Sequence, residues 1–192
     1  MDEATPREHL RALADLAARS AELLSADVAA VARLTRRTLD AGGRLFFCGN
    51  GGSAADAQHL ACEYVVRYRR DRAPWPAVAL TTDTSVLTAS GNDFGFAQVF
   101  ARQVRALGRP GDLLFLHSTS GESENLLEAA RAAREVGVVT VGLLAKGGGR
   151  LRALVDHALV LPTAETARAQ EVQLAIGHVI CEMVESESGG EG

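Results

Sequence analysis

From about residue 44 onward, short apolar runs alternate with longer stretches in which apolar positions recur every three or four residues. The runs are LFFC (45–48), AVAL (77–80), LLFLH (113–117), VVTVGLL (138–144) and HALVLP (157–162). Each is continuously apolar and rich in strand-forming residues, the pattern of strands covered on both faces of a parallel sheet. Helical patterns over roughly 53–70, 96–107, 123–136 and 166–186 fall between or after them. The expected fold class is therefore α/β, a doubly wound five-stranded parallel sheet flanked by helices. Ahead of the sheet, Thr5-Pro6-Arg7-Glu8 reads as a capping box with proline at the first helical position. Leu10, Leu13, Leu16 and Ala17 then recur at helical spacing, and a second helical stretch runs to about Leu39, ended by Ala41-Gly42-Gly43. The expectation is an N-terminal helical hairpin over about 5–41. No repeat or linker breaks the pattern, so 1–192 reads as a single domain whose small, acidic tail (186–192) should fray.

Composition adds little to this picture but excludes several classes. The chain has 192 residues, 47% of them apolar and 23% charged, enough for a full core without disulfides or metal. A net charge of -4 gives no electrostatic footprint for nucleic acid. The one local basic cluster, Arg67, Arg69, Arg70 and Arg72, reads as the solvated C-terminal end of a helix. Cys48, Cys62 and Cys181 are too scattered for a disulfide framework or a CxxC zinc site. The first residues, MDEATPREHL, lack the regions of a signal peptide, and no apolar stretch approaches the roughly 20 residues of a membrane span. The expected setting is cytoplasmic, with no membrane or nucleic-acid partner.

In an open α/β sheet, ligands bind beyond the carboxyl ends of the strands, which directs attention to the strand-to-helix loops. The loop after LFFC reads Gly49-Asn50-Gly51-Gly52-Ser53. Its glycines allow a ligand close to the backbone, at the start of a helix with unpaired N–H groups. It fits G-x-G-x-x-A loosely but lacks the acidic residue about 20 positions on that dinucleotide binding requires, and it lacks the G-K-[ST] of a nucleotide P-loop. The loop after LLFLH carries Ser118, Thr119, Ser120 and Ser123. A helix N-cap needs one hydroxyl, and four within six residues suit a phosphate monoester at the positive end of a helix dipole. Glu122, in the same loop, should point away from such a ligand. His59 and Glu63 share a helix face at (i, i+4), which fits a surface hydrogen bond, a metal half-site or an acid/base couple. Gln170 and His178 stand eight residues apart on one side of the last helix. Lys146 is the only lysine, in a loop, which argues against Schiff-base chemistry.

The stretches "GNGGSAADAQHLACEY", "RYRRDR", "GNDFGF", "STSGES" and "AQEVQLAIGHVICEMVE" together resemble the phosphoheptose isomerases of the sugar isomerase (SIS) superfamily, in order and over nearly the whole chain. The resemblance implies a flavodoxin-like SIS fold, a homotetramer with sites shared between subunits, and interconversion of sedoheptulose 7-phosphate with D-glycero-D-manno-heptose 7-phosphate, with zinc at each site. It implies phosphate contacts from Ser118, Thr119, Ser120 and Ser123, and further substrate contacts from Asn50, Gly51, Gly52, Ser53, Arg67, Asn92, Asp93 and Gln170. His59, Glu63, Gln170 and His178 match the zinc ligands, and Glu63 and His178 match the catalytic base and acid. Two positions depart from the pattern: Glu122 replaces a small amide, and Ala167 stands where the enzymes carry an aspartate.

The chain also resembles, in "SAA.AQH", "LTA" and "QVRALG", the SIS proteins that bind the replication initiator DnaA. Those proteins lack the glutamate and C-terminal histidine that stand here as Glu63 and His178, so the enzyme is the favoured expectation. The regulator and a non-catalytic sugar-phosphate sensor are the alternatives.

Overall fold

The structure, a computed structural model, describes residues 4–186. Five parallel strands, β1 (Leu45–Gly49), β2 (Ala77–Ala79), β3 (Leu113–Ser118), β4 (Val139–Leu144) and β5 (His157–Val160), form one sheet in the order 2-1-3-4-5. That is the flavodoxin-like doubly wound order expected from the alternation of apolar runs and helices. The helices are α1 (Ala4–Asp40), α2 (Gly52–Val65), α3 (Thr84–Phe94), α4 (Ala101–Leu107), α5 (Glu124–Val136) and α6 (Thr166–Ser186).

Alternate residues of each strand feed two cores. Leu45, Phe47, Leu113, Phe115, Val141 and Leu143 pack under α1, α2 and α6. Phe46, Cys48, Leu114, Leu116 and Leu144 pack under α4 and α5. Every residue of β1 and β3 is buried, which is why these strands read as unbroken apolar runs.

The expected N-terminal hairpin is corrected to one uninterrupted helix of 37 residues. No glycine or proline lies between Arg7 and Ala41 to break it. The hydroxyls that could have capped a second helix turn back instead: Ser20 donates to Leu16 O at 2.8 Å, Thr35 to Val31 O at 2.8 Å, and Ser25 to Ala21 O. The helix is roughly 55 Å long at 1.5 Å per residue, and its C-terminal half packs on α6.

Three other boundaries differ. Residues 84–94 form α3, with the Asp83 carboxylate accepting from Val86 N at 3.0 Å as its N-cap. The helix expected over 96–107 is a 3-10 turn at Phe96–Gln98 followed by the short α4. The helix α2 ends at Val65, so the arginine cluster lies in the loop beyond it and not on its last turn. The loop is held by Glu185 on α6, which accepts from the backbone N–H groups of Tyr68, Arg69 and Arg70 and pairs with Arg72 at 3.0 Å. Arg72 also lies 3.6 Å over the Trp75 ring. Of the tail expected to fray, Ser186 ends α6 and 187–192 lie outside the described residues. Among the described residues, no helix is long and apolar enough to cross a membrane.

The centre of the larger core is an aromatic stack. The Phe47 and Phe115 rings are stacked, 4.9 Å apart and nearly parallel, and Tyr64 of α2 lies 5.8 Å from Phe47. Phe47 is 1% exposed. Phe47→Ala should lower the unfolding free energy by about 3–5 kcal/mol, measured by denaturant titration of the two proteins side by side.

Candidate active site

Both β1 and β3 end in loops at the carboxyl edge of the sheet, and the two loops are tied together. Asn50 and Asn125 exchange amide hydrogen bonds of 2.9 and 2.8 Å, joining the glycine loop to the first turn of α5. Between the loops lies a cleft of about 260 Å³. Asn50, Gly51, Gly52 and Ser53 line one side, with Ser118, Thr119, Ser120 and Ser123 opposite and Gln170 of α6 closing the rim. The sequence-based grouping of these residues is what the fold brings together.

The serine loop turns sharply at Gly121, at φ +67°, where an added Cβ would lie 1.9 Å from the Gly148 carbonyl oxygen. Within the turn, Ser118 Oγ accepts from Gly121 N at 2.9 Å and Ser120 Oγ accepts from Glu122 N at 3.2 Å. Both hydroxyl protons remain available to an acceptor in the cleft. Ser123 occupies the N-cap position of α5 without a side-chain cap bond, so its hydroxyl is also uncommitted. A cluster of hydroxyl donors at an uncapped helix start has the chemistry to bind an anion such as a phosphate. Glu122 points away, as expected: its carboxylate accepts from Arg150 N at 2.9 Å and Arg150 Nε at 2.7 Å, and these bonds hold it below the usual carboxylate range.

From this cleft, α2 and α6 run side by side in the same direction. Gln170 Nε2 lies 3.5 Å from Ser53 Oγ at the near end. A Cβ on Gly52 would lie 2.7 Å from the Gln170 amide, and one on Gly177 would lie 2.6 Å from Leu60. These two glycines let the helices approach closely.

Further along the seam, His59 and His178 meet, with their Nε2 atoms 2.8 Å apart. Glu63 Oε1 is 3.2 Å from His59 Nε2. The three residues offer two imidazole nitrogens and a carboxylate oxygen within 4.8 Å of one another. Tyr68 stacks on the His178 ring at 5.3 Å. Burial, reinforced by His59, lowers the pKa of His178, with Glu63 opposing them. This favours the neutral imidazole, which offers one nitrogen as a ligand or acceptor and one N–H to donate.

Three of the four proposed metal ligands thus converge, while Gln170 is seated at the cleft, eight residues up α6 from His178. Asn92 and Asp93 are exposed at the end of α3, where Asn92 Nδ2 donates to Asp93 at 2.7 Å, and neither lines the cleft. Arg67 is exposed just past α2. Within one chain, these three stand apart from the cleft and the histidine pair.

The sequence reading missed His117 as a site residue. It lines the cleft, is completely buried, and has both ring nitrogens without a partner. The signal was present: a lone polar residue ending the apolar run LLFLH next to the serine loop. Tyr68 and Asn125 were also passed over, and only their packing gives them a role.

A family model described as "SIS domain" matches residues 8–145, which makes this an SIS-domain protein. The phosphoheptose isomerase of Roseiflexus sp. (strain RS-1) is 51% identical over 178 residues, covering 93% of this chain and 90% of its own. The solved phosphoheptose isomerase of Neisseria gonorrhoeae superposes with a TM-score of 0.91 at 40% identity, covering 96% of this chain and 98% of its own. That of Francisella tularensis gives 0.93 at 33%, covering 97% and 100%. The chain belongs to the phosphoheptose isomerase family.

Burial pushes the His117 imidazole down from its ordinary 6.5 to about 4. Above pH 6.5 the ring is neutral folded or unfolded, and it contributes no pH dependence. As pH falls from 6.5 toward 4 the unfolded chain takes up this proton first, so folding stability is lost across that window, by about 3 kcal/mol in all. His117→Leu should lose that share of acid sensitivity, seen as a shallower fall of unfolding free energy between pH 6.5 and 4.

Proposed function

We propose that the protein is an aldose-ketose isomerase that converts sedoheptulose 7-phosphate to D-glycero-D-manno-heptose 7-phosphate through an enediol. The carrying observation is one continuous seam with a hydroxyl-lined, uncharged cleft at one end and a carboxylate beside a pair of imidazoles at the other. Counting residues along α2 and α6, the ends are separated by about 9–12 Å. A phosphate seated in the serine loop therefore presents the far end of an extended sugar, where the carbonyl lies, to Glu63 and His178.

The chain's own residues supply the proton chemistry. Glu63 removes a proton from carbon 1 of the ketose while the carbonyl oxygen on carbon 2 takes one from His178, which gives the enediol. The proton on oxygen 1 then returns to His178, and Glu63 delivers its proton to carbon 2, completing the aldose. A zinc ion suits the donor set of His59, Glu63 and His178, since neutral imidazoles and a carboxylate are its ordinary ligands. Gln170 stands about 12 Å along α6 from His178, so it and His178 would meet on one ion only if a second copy of the chain contributed one of them. When bound, zinc supplies Lewis acidity that polarises the carbonyl. Glu63 cannot hold the metal tightly and act as a free base at once, so the two roles alternate.

The working form is a homotetramer in the cytoplasm, built as one domain. An apolar groove of about 440 Å³ runs between α1 and α6, bordered by Val28, Ile176 and Val179. Leu10 and Leu23 on α1 are more than 60% exposed. A second copy over this face would shield the half-open histidine pair and bring in residues such as Arg67, Asn92 and Asp93 that one chain leaves outside its own site. Three free thiols, two of them buried, suit a reducing compartment.

Glu63→Gln keeps the shape and removes the base, so turnover of sedoheptulose 7-phosphate should fall by about 100- to 10,000-fold. Deuterium from solvent should appear at carbon 1 or 2 of the product with the unmodified protein and not with the variant. A Glu63→Gln protein that turns over normally, or a native protein that isomerises no heptose phosphate yet binds DnaA, would overturn the enzyme reading. Leu23→Glu should shift the sedimenting species from tetramer toward smaller forms and reduce activity in parallel. A fully active monomer would overturn shared sites.

A further inference from the structure

His117 is not used by the proton chemistry, yet its setting demands a partner. A neutral imidazole carries one donor and one acceptor, and leaving both unmet inside a protein is costly. His117 is 0% exposed, and neither Nδ1 nor Nε2 is hydrogen-bonded. Its register neighbours are Gly49 on β1, which has no side chain to offer, and Leu143 on β4. The Leu143 carbonyl is taken by Gln173 Nε2 at 2.8 Å. The nearest ring is Phe47, 6.4 Å away. What His117 does border is the cleft, beside Ser118.

The lining of that cleft sharpens the point. Its polar residues are asparagine, serine, threonine and glutamine, and no lysine, arginine, aspartate or glutamate lines it. His117 is therefore the one ionisable side chain bordering a cradle built for a dianion. A phosphate monoester offers acceptor oxygens only, and an imidazole N–H is a donor that such an oxygen would satisfy.

We propose that His117 is a further substrate-binding residue, donating a ring N–H from the cleft floor to a phosphate oxygen of the sugar phosphate beside the serine hydroxyls. This rests on the reading that the cleft holds the phosphate. A dianion at that distance favours the protonated ring, so binding also opposes the burial that keeps the empty site's imidazole neutral. Gln173 Oε1, buried and unpartnered on the helix above, is the acceptor available to the remaining ring nitrogen through a bridging water.

The test is nitrogen-15 NMR of the full chain labelled at histidine, with the His117 resonances assigned by their loss in His117→Leu. Inorganic phosphate and sedoheptulose 7-phosphate should each shift the His117 ring nitrogens saturably, and unphosphorylated sedoheptulose should not. His117→Leu should raise KM for the sugar phosphate about tenfold or more, the usual loss for a hydrogen bond to a charged group, with a smaller change in kcat. His117→Asn, which restores an N–H donor, should recover part of the loss. His117 resonances that stay put at saturating sugar phosphate would overturn the proposal, because a ring serving only internal packing would not respond. This measurement on the native protein decides the matter even if His117→Leu folds poorly. Shifts with phosphate from a protein that isomerises no heptose phosphate would sink the isomerase reading and leave His117 as a phosphate ligand.

Discussion

Two helices leave the same edge of the sheet and lie against each other because glycines stand where they touch. Gly177 leaves room for Leu60, and Gly52 leaves room for the Gln170 amide. A Cβ at Gly177 would displace the buried Leu60 side chain and one at Gly52 would displace the Gln170 amide, and the rest of the site depends on this close packing. His59 and His178 come from strands of chain 119 residues apart and meet at 2.8 Å only while the seam stays closed. Leu60 and Ile180 sit beneath it in the main core, so seam geometry and core packing are one constraint.

The seam joins two environments of opposite character. The cleft at the sheet edge is uncharged and rich in hydroxyls, and oriented dipoles at the start of α5 would be its means of attracting an anion. The far end holds titratable groups close enough to perturb one another, with burial and the neighbouring His59 lowering the pKa of His178. On the proposed function, this separation would let a phosphate be gripped without its charge falling on the base. The Asn50–Asn125 exchange fixes the cleft's two walls relative to each other, and Glu185 anchors the loop that carries Tyr68 onto His178.

Open features on a single chain carry a common meaning. The histidine pair lies on an exposed helix seam, the neighbouring groove along α1 is apolar, and Asn92, Asp93 and Arg67 are exposed and outside the cleft lining. An apolar groove is costly to leave in water, and association of copies would cover it.

The strands and the two loops were legible in the sequence, because burial on both faces leaves an unbroken apolar run and because glycine and hydroxyl clusters have a local cause. The serine loop and the His59–Glu63 pair could be read from spacing alone. The continuous α1 was legible in principle, since nothing between Arg7 and Ala41 breaks a helix, and Ser20 bonds backward within it. Other features depended on tertiary contacts. The pairing of His59 with His178, the seat of Gln170 against Ser53, and the isolation of His117 at the cleft floor arise from strands and helices far apart in sequence. The sequence by itself thus determined which segments would be strands and where hydroxyls and glycines would gather at the ends of strands, since those follow from local chemistry. Only the tertiary structure decided which distant side chains face one another, because that is set by the packing of α2 on α6.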